Sequence, residues 1–266
     1  MTPPVPVLMY HSITDEPTPA TRRLSVTPGA FAAQLEMLDH LGFTTLPFSE
    51  VAEATATRRR LPERVVALTF DDGYANFHST ALPLLREHGA TATVFVTTGW
   101  LDDAGEEAAG EPLDTMLRWD QVREIADAGI EVGAHSHSHP QLDQLPGTAL
   151  AEELARSRSL LEERVGIPVR TLAYPFGYSS RRVRRAVEVT GYRSAAAVAN
   201  AAAGGRHDPL AVPRLTVRRA TDLETFRRIL RTEGLRRVYL VDRALTRGYA
   251  VVRRTKSALR RLSRDD

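Results

Sequence analysis

VVALTFDDGY, residues 65–74, runs apolar for six residues and then stops on two adjacent carboxylates, Asp71 and Asp72. A short apolar run bounded by a turn signal reads as a strand buried on both faces. IEVGAHSHSHP, residues 130–140, repeats the pattern with histidines in place of acids. Working outward, further strands are expected at Val5–Tyr10, Ala92–Thr97, Thr171–Tyr174, Tyr192–Val198 and Leu215–Val217. Helices are expected at Pro28–Leu41 behind a Thr27 cap, around Ala75–His88, and over Asp120–Ala128, Thr148–Val165 and Ser180–Thr190. Asp102–Asp114 reads as a long surface loop. This alternation specifies an α/β chain with a parallel sheet, open or closed into a barrel.

At 266 residues the chain holds one sizeable core and is short for two. With 26% charged and 42% hydrophobic residues its composition is that of a globular protein. It has no cysteine, which excludes disulfides and thiolate-bound zinc. No eighteen apolar residues run together, and MTPPVPVLMYHS has neither a basic leader nor an apolar stretch of signal-peptide length, so a cytoplasmic location is expected. The net charge of +2 hides a split. Residues 227–266 carry 13 basic and 4 acidic side chains, net +9, against 22 and 29, net −7, before them.

The polar residues cluster by position. His11, Asp71 and Asp72, His135 to His139, and the Tyr174–Gly177 turn each lie just past the carboxyl end of an expected strand, the face on which barrel active sites are built. If the chain turns helically after Ala134, His135 and His139 share a side and His137 points elsewhere; if it stays extended, all three share a face. The first arrangement is favoured, with His137 in reserve. Two imidazoles and a carboxylate leave a coordination position open to water, as catalytic zinc sites do. Asp71 then stays outside the ligand set, free to take a proton. An isolated Asp-Asp-Gly is most often only a turn; its occurrence with the histidines, each at a strand end, favours a metal site. A glycan substrate needs an open groove with aromatics, for which Tyr10, Tyr74, Trp100, Phe176 and Tyr178 are the candidates, Trp100 being first of all a packing residue.

In this order and spacing, TFDDGY, HSHSHP and AYPFGY resemble the polysaccharide deacetylases of carbohydrate esterase family four, the nodulation-type deacetylase domain, over roughly Val5 to Val217. The VLMYHS start together with AYPFG is similar to the poly-N-acetylglucosamine deacetylase-like subgroup. The resemblance implies a distorted (β/α) barrel of about seven parallel strands, assigned to residues 1–220; the residues that follow, 221–266, read as a basic helical extension. It implies removal of acetyl groups from N- or O-acetylated sugars with a divalent metal, usually Zn2+, with Co2+ or Ni2+ as alternatives. Residue by residue, it makes Asp71 the base and Asp72, His135 and His139 the metal ligands. Tyr174, Pro175, Phe176 and Gly177 wall the groove, and the Phe176 backbone N–H assists the oxyanion.

Two departures from the family stand out. Ala173 occupies the place of an arginine that orients the base in many relatives, so Arg170 or Arg214 must substitute from another direction, Arg214 being also a candidate for contacting substrate. Leu215-Thr216-Val217 stands where many carry Leu-x-His, so the usual proton donor is missing. His11 is the candidate for contacting substrate or supplying that proton, with His207 second. These departures keep open a second class, a glycan-binding protein on the same barrel that has lost turnover; an amidase acting on another small amide is a third. Beyond Gly234, arginines interleave with Leu, Val and Tyr as in a segment that lies on an anionic membrane surface. That would suit an enzyme peripheral to the inner membrane face. No nucleic-acid-reading module accompanies the segment, so nucleic acid is not expected as a partner.

Overall fold

The computed structural model of the chain describes residues 4–204 and 207–240. In order, the elements are β1 (Val7–Tyr10), α1 (Pro28–Leu41), β2 (Thr44–Thr45), α2 (Phe48–Thr57), β3 (Val65–Phe70), α3 (Leu82–Glu87), β4 (Thr93–Val96), α4 (Trp119–Asp127), β5 (Glu131–Ala134), α5 (Gly147–Val165), β6 (Thr171–Ala173), α6 (Arg181–Thr190), β7 (Ser194–Val198), β8 (Val212–Thr216), α7 (Leu223–Leu230) and α8 (Leu235–Val238). Strands β3 to β8 pair in sequence order and β8 pairs with β1. β1 then returns to β3, with Val7 opposite Ala67 and Tyr10 opposite Phe70, all in parallel. Seven parallel strands thus close a barrel, and β2 adds only to the first two residues of β3. The Thr45 hydroxyl accepts the Thr91 N–H ahead of β4, and β3 and β4 meet directly only over Thr69–Phe70 and Thr93–Val94. The barrel is distorted at that seam.

Period-two alternation divides the core. Val7, Ala67, Phe95, Ala173, Ala196 and Val212 gather inside the barrel with Phe48, Val51 and Ala52 of α2, which plugs its amino-terminal mouth. Leu8, Tyr10, Leu68, Phe70, Val94, Val96 and Leu172 face the helices. The interior side chains are mostly small beside Phe95, and a Cβ on Gly133 would fall 2.6 Å from the Phe95 ring and from Thr171 Oγ1.

Two features were not legible beforehand. β2 is only two residues long, and the buried face of α2 beyond Phe48 and Val51 is made of Ala52, Ala54 and Thr55, too small to give a strong hydrophobic signal. The helix expected around Ala75–His88 starts instead with a π-helical turn, Phe77–Ala81, in which the Leu82 N–H reaches back to Phe77 O. Pro83, at the start of α3, has no N–H with which to continue a regular ladder through this point.

At the carboxyl end, Phe226, Ile229 and Leu230 of α7 pack into the outer core, and the Tyr239 hydroxyl donates to Thr216 O on the barrel. Residues 241–266, which hold most of the basic segment read as a membrane-surface element, lie outside the described residues. Among the described residues no helix is long and apolar enough to cross a membrane.

Candidate active site

Adjacent residues on a strand point to opposite faces, so a plain β3 could not aim both Asp71 and Asp72 at one rim. The strand ends at Phe70 and Asp72 takes a left-handed conformation, φ 74°. Ser136 (φ 64°) and His139 (φ 59°) bend the chain after β5 in the same way, and Phe176 (φ 58°) bends it after β6. Among the described residues, four of the seven non-glycine residues with positive φ thus lie in the three turns that carry the site residues, the kind of place where backbone strain clusters.

One oxygen of Asp72, Oδ1, lies 3.3 Å from His135 Nε2 and 3.4 Å from His139 Nε2, and the three ligand atoms fall within 4.8 Å of one another. Donors held about 2.0–2.1 Å from a tetrahedral zinc are about 3.4 Å apart, the spacing found on the two edges that meet at Asp72 Oδ1. The His135 Nδ1–H donates to Ala173 O at 2.9 Å, which orients the ring so that Nε2 faces Asp72. The electrostatics agree. Burial alone would raise Asp72, yet the hydrogen bonds from His135 and His139 hold it well below the usual carboxylate range. Burial alone would lower His135, yet Asp71 and Asp72 pull it up, so the site attracts positive charge. His137 is not in the triangle: its Nδ1 lies 2.9 Å from Thr98 Oγ1 and it is buried beside β4. The segment turns, as favoured, but through left-handed Ser136 and His139 and not through a helical turn.

Asp71 is buried and gripped by Arg214, with Nη1 2.6 Å from Oδ1 and Nη2 2.7 Å from Oδ2. Nη1 also donates to Thr69 Oγ1 at 3.1 Å, and the guanidinium lies 5.7 Å from the centre of the Phe95 ring. Burial pushes Asp71 up, but Arg214, followed by His135 and His11, brings it below its ordinary value. Arg214 is wholly enclosed, so the expectation that it touches substrate is corrected: it faces inward from β8 and its partner is the carboxylate. Arg170 is exposed just before β6, at the far mouth, and is not the substitute.

His11 follows β1 directly beside Asp71, whose N–H donates to Tyr10 O at 3.0 Å. Its Nδ1 is buried without a partner among the described residues, and burial lowers its pKa against the pull of Asp72 and Asp71. His207 is exposed and its Nδ1 meets Gly204, away from the triangle. Val217 packs into the outer core, so no proton donor stands there.

Only part of the aromatic set reaches the groove. Trp100, His139, Phe176 and Tyr178 form a row with successive ring centres 4.6, 4.8 and 6.3 Å apart, with Trp100 buried at its inner end and Phe176 51% exposed. Tyr10 and Tyr74 do not line an open surface, contrary to expectation. Tyr10 sits in the outer layer between Phe31 and Phe70, and Tyr74 packs with Trp100 and Met116. Tyr174 likewise turns outward and donates to Leu210 O, while Pro175 is buried beneath the bend. A Cβ on Gly177 would meet Val198 at 2.4 Å, so this turn runs flush against β7.

The polysaccharide deacetylase family matches residues 58–195, and the chain belongs to it. The Bacillus subtilis protein YxkH is 28% identical over 191 residues, covering 71% of this chain and 62% of its own. The poly-β-1,6-N-acetyl-D-glucosamine N-deacetylase of Escherichia coli is 30% identical over 139 residues, 50% of this chain and 20% of its own. This chain therefore spans less than two thirds of either relative. Among solved structures, the Streptococcus pyogenes deacetylase PplD superposes with a TM-score of 0.77 at 24% identity, covering 86% of this chain and 99% of that one, which shows the shared fold.

Proposed function

We propose that this protein is a metal-dependent carbohydrate deacetylase that removes acetyl groups from N-acetylated sugars of a cell-surface polysaccharide or lipid-linked glycan. The observation that carries this reading is the Asp72–His135–His139 triangle set beside the Arg214-held Asp71. Asp72, His135 and His139 would hold a divalent ion, most readily Zn2+, which supplies Lewis acidity toward the acetyl carbonyl and makes water more acidic. Each Asp71 oxygen keeps a lone pair beyond its bond to Arg214, and one of them takes the proton of the attacking water. The proton that Asp71 takes from water passes on through His11, whose lowered pKa suits it to relay a proton, to the leaving nitrogen as the C–N bond breaks, releasing acetate and the free amine. The Phe176 N–H, at the left-handed bend, is the donor assigned to the developing oxyanion, a contribution of about 3 kcal/mol to the barrel's catalysis. Phe176 and Tyr178 offer faces for sugar rings. The name of the Escherichia coli relative supports an N-acetylated glycan as the substrate.

Acetate release from N-acetylglucosamine oligomers tests the reading: activity is expected, lost on chelation and restored by zinc. A protein that binds the oligomers and the ion but releases no acetate is instead the non-catalytic binding protein, a reading favoured only by Val217 in the donor position. His11→Ala is expected to lower turnover by about 10²-fold or more, as loss of an acid–base group does. Near-normal turnover in that variant removes His11 from the mechanism.

A further inference from the structure

The turn that carries His139 is held from two sides. From the end of β4, the Gly99 N–H donates to His137 O at 2.8 Å and Thr98 Oγ1 meets His137 Nδ1. From the opposite side comes one residue of α5, a helix that contributes no ligand and no reacting group. Glu153 Oε2 accepts the N–H groups of both His137 and Ser138 at 2.9 Å, and Oε1 accepts the Ser138 hydroxyl at 2.5 Å.

We propose that Glu153 is a positioning residue that sets the cation affinity of the site by pinning the His135–His139 turn to α5. It rests on reading Asp72, His135 and His139 as the ligands, and goes beyond that reading in making the affinity depend on a helix that carries no ligand. Three hydrogen bonds on one carboxylate are charge-assisted and short, the strong kind. They fall on a turn that needs them, because Ser136 and His139 are both held at positive φ, a conformation that relaxes unless its surroundings enforce it. Ligand distances must hold within about 0.2 Å for tight binding, a tolerance a loosened turn would exceed. His139 is one residue from Ser138, so slack there passes directly to its Nε2.

The test is cobalt(II) titration of the metal-stripped full chain, read by visible absorption and by competition with a chelator. Glu153→Ala is expected to weaken binding by about 10- to 100-fold, the usual cost of removing a group that orients metal ligands, and to alter the cobalt spectrum of the folded protein. Glu153→Gln keeps an oxygen for the two N–H groups and an amide for Ser138 Oγ, so it is expected to retain most of the affinity. Ser138→Ala, which removes one of the three bonds, should fall between wild type and Glu153→Ala and serves if the latter does not fold. Wild-type affinity and spectrum in Glu153→Ala, or in Ser138→Ala where that variant must stand in, overturn the proposal while leaving the metal site intact. A wild-type chain that takes up no cobalt overturns both.

Discussion

Asp71→Asn should reduce acetate release by about 10²- to 10⁴-fold, the range that a positioned base supplies. The substitution keeps the side chain's size and leaves Asp72, His135 and His139 in place, so cobalt affinity should stay near wild type. An amide oxygen can still accept from Arg214, but the amide nitrogen cannot accept a proton from water at neutral pH. Turnover and cobalt binding measured on the same preparation separate the two effects. Turnover within tenfold of wild type would show that the base lies elsewhere. Loss of cobalt binding along with turnover would place Asp71 among the ligands instead.

Arg214→Ala should damage both stability and chemistry. Arg214 and Asp71 are 0% and 4% exposed, and removing one partner of a buried ion pair costs about 3–5 kcal/mol because the other charge is left unpaired. Denaturant unfolding with an unchanged m-value would measure the loss; a change below about 1 kcal/mol would show that the pair is replaced by relaxation or water. The pH dependence has a definite sign. In the wild type Asp71 titrates below its ordinary value, so its share of stability is present above the unfolded carboxylate pKa and is lost as pH falls through the lower folded value. Without the guanidinium, burial acts against fewer opposing charges and the carboxylate rises. The acid limb of kcat/KM should therefore move to higher pH, and an unmoved limb would separate Arg214 from the state of the base.

Much of this site was legible because its chemistry is local. Asp71 and Asp72 follow a six-residue apolar run, and His135 and His139 follow another, so strand ends and metal-competent side chains could be read together. The choice between Arg170 and Arg214 was not legible, because it depends on strand phase and on which mouth of the barrel each occupies. Arg214 lies 143 residues from Asp71 and meets it only because β8 and β3 both flank β1. The burial of Tyr10, Tyr74 and Tyr174 was missed for a related reason: a tyrosine near a strand end faces rim or helix layer according to its phase. Glu153 carried no motif at all. It is one acid on a long amphipathic helix, and only its three hydrogen bonds distinguish it.

By itself, then, the amino-acid order determined the alternation of strands and helices, the two strand-end clusters and the family they mark, since hydrophobic period and ligand chemistry are written within a few residues of each other. Tertiary structure alone decided which arginine pairs with Asp71, that α2 plugs the barrel and that Glu153 of α5 hydrogen-bonds the histidine turn. Those outcomes depend on closing the sheet between β1 and β3, and a contact across a closed barrel joins residues whose separation along the chain holds no trace of it.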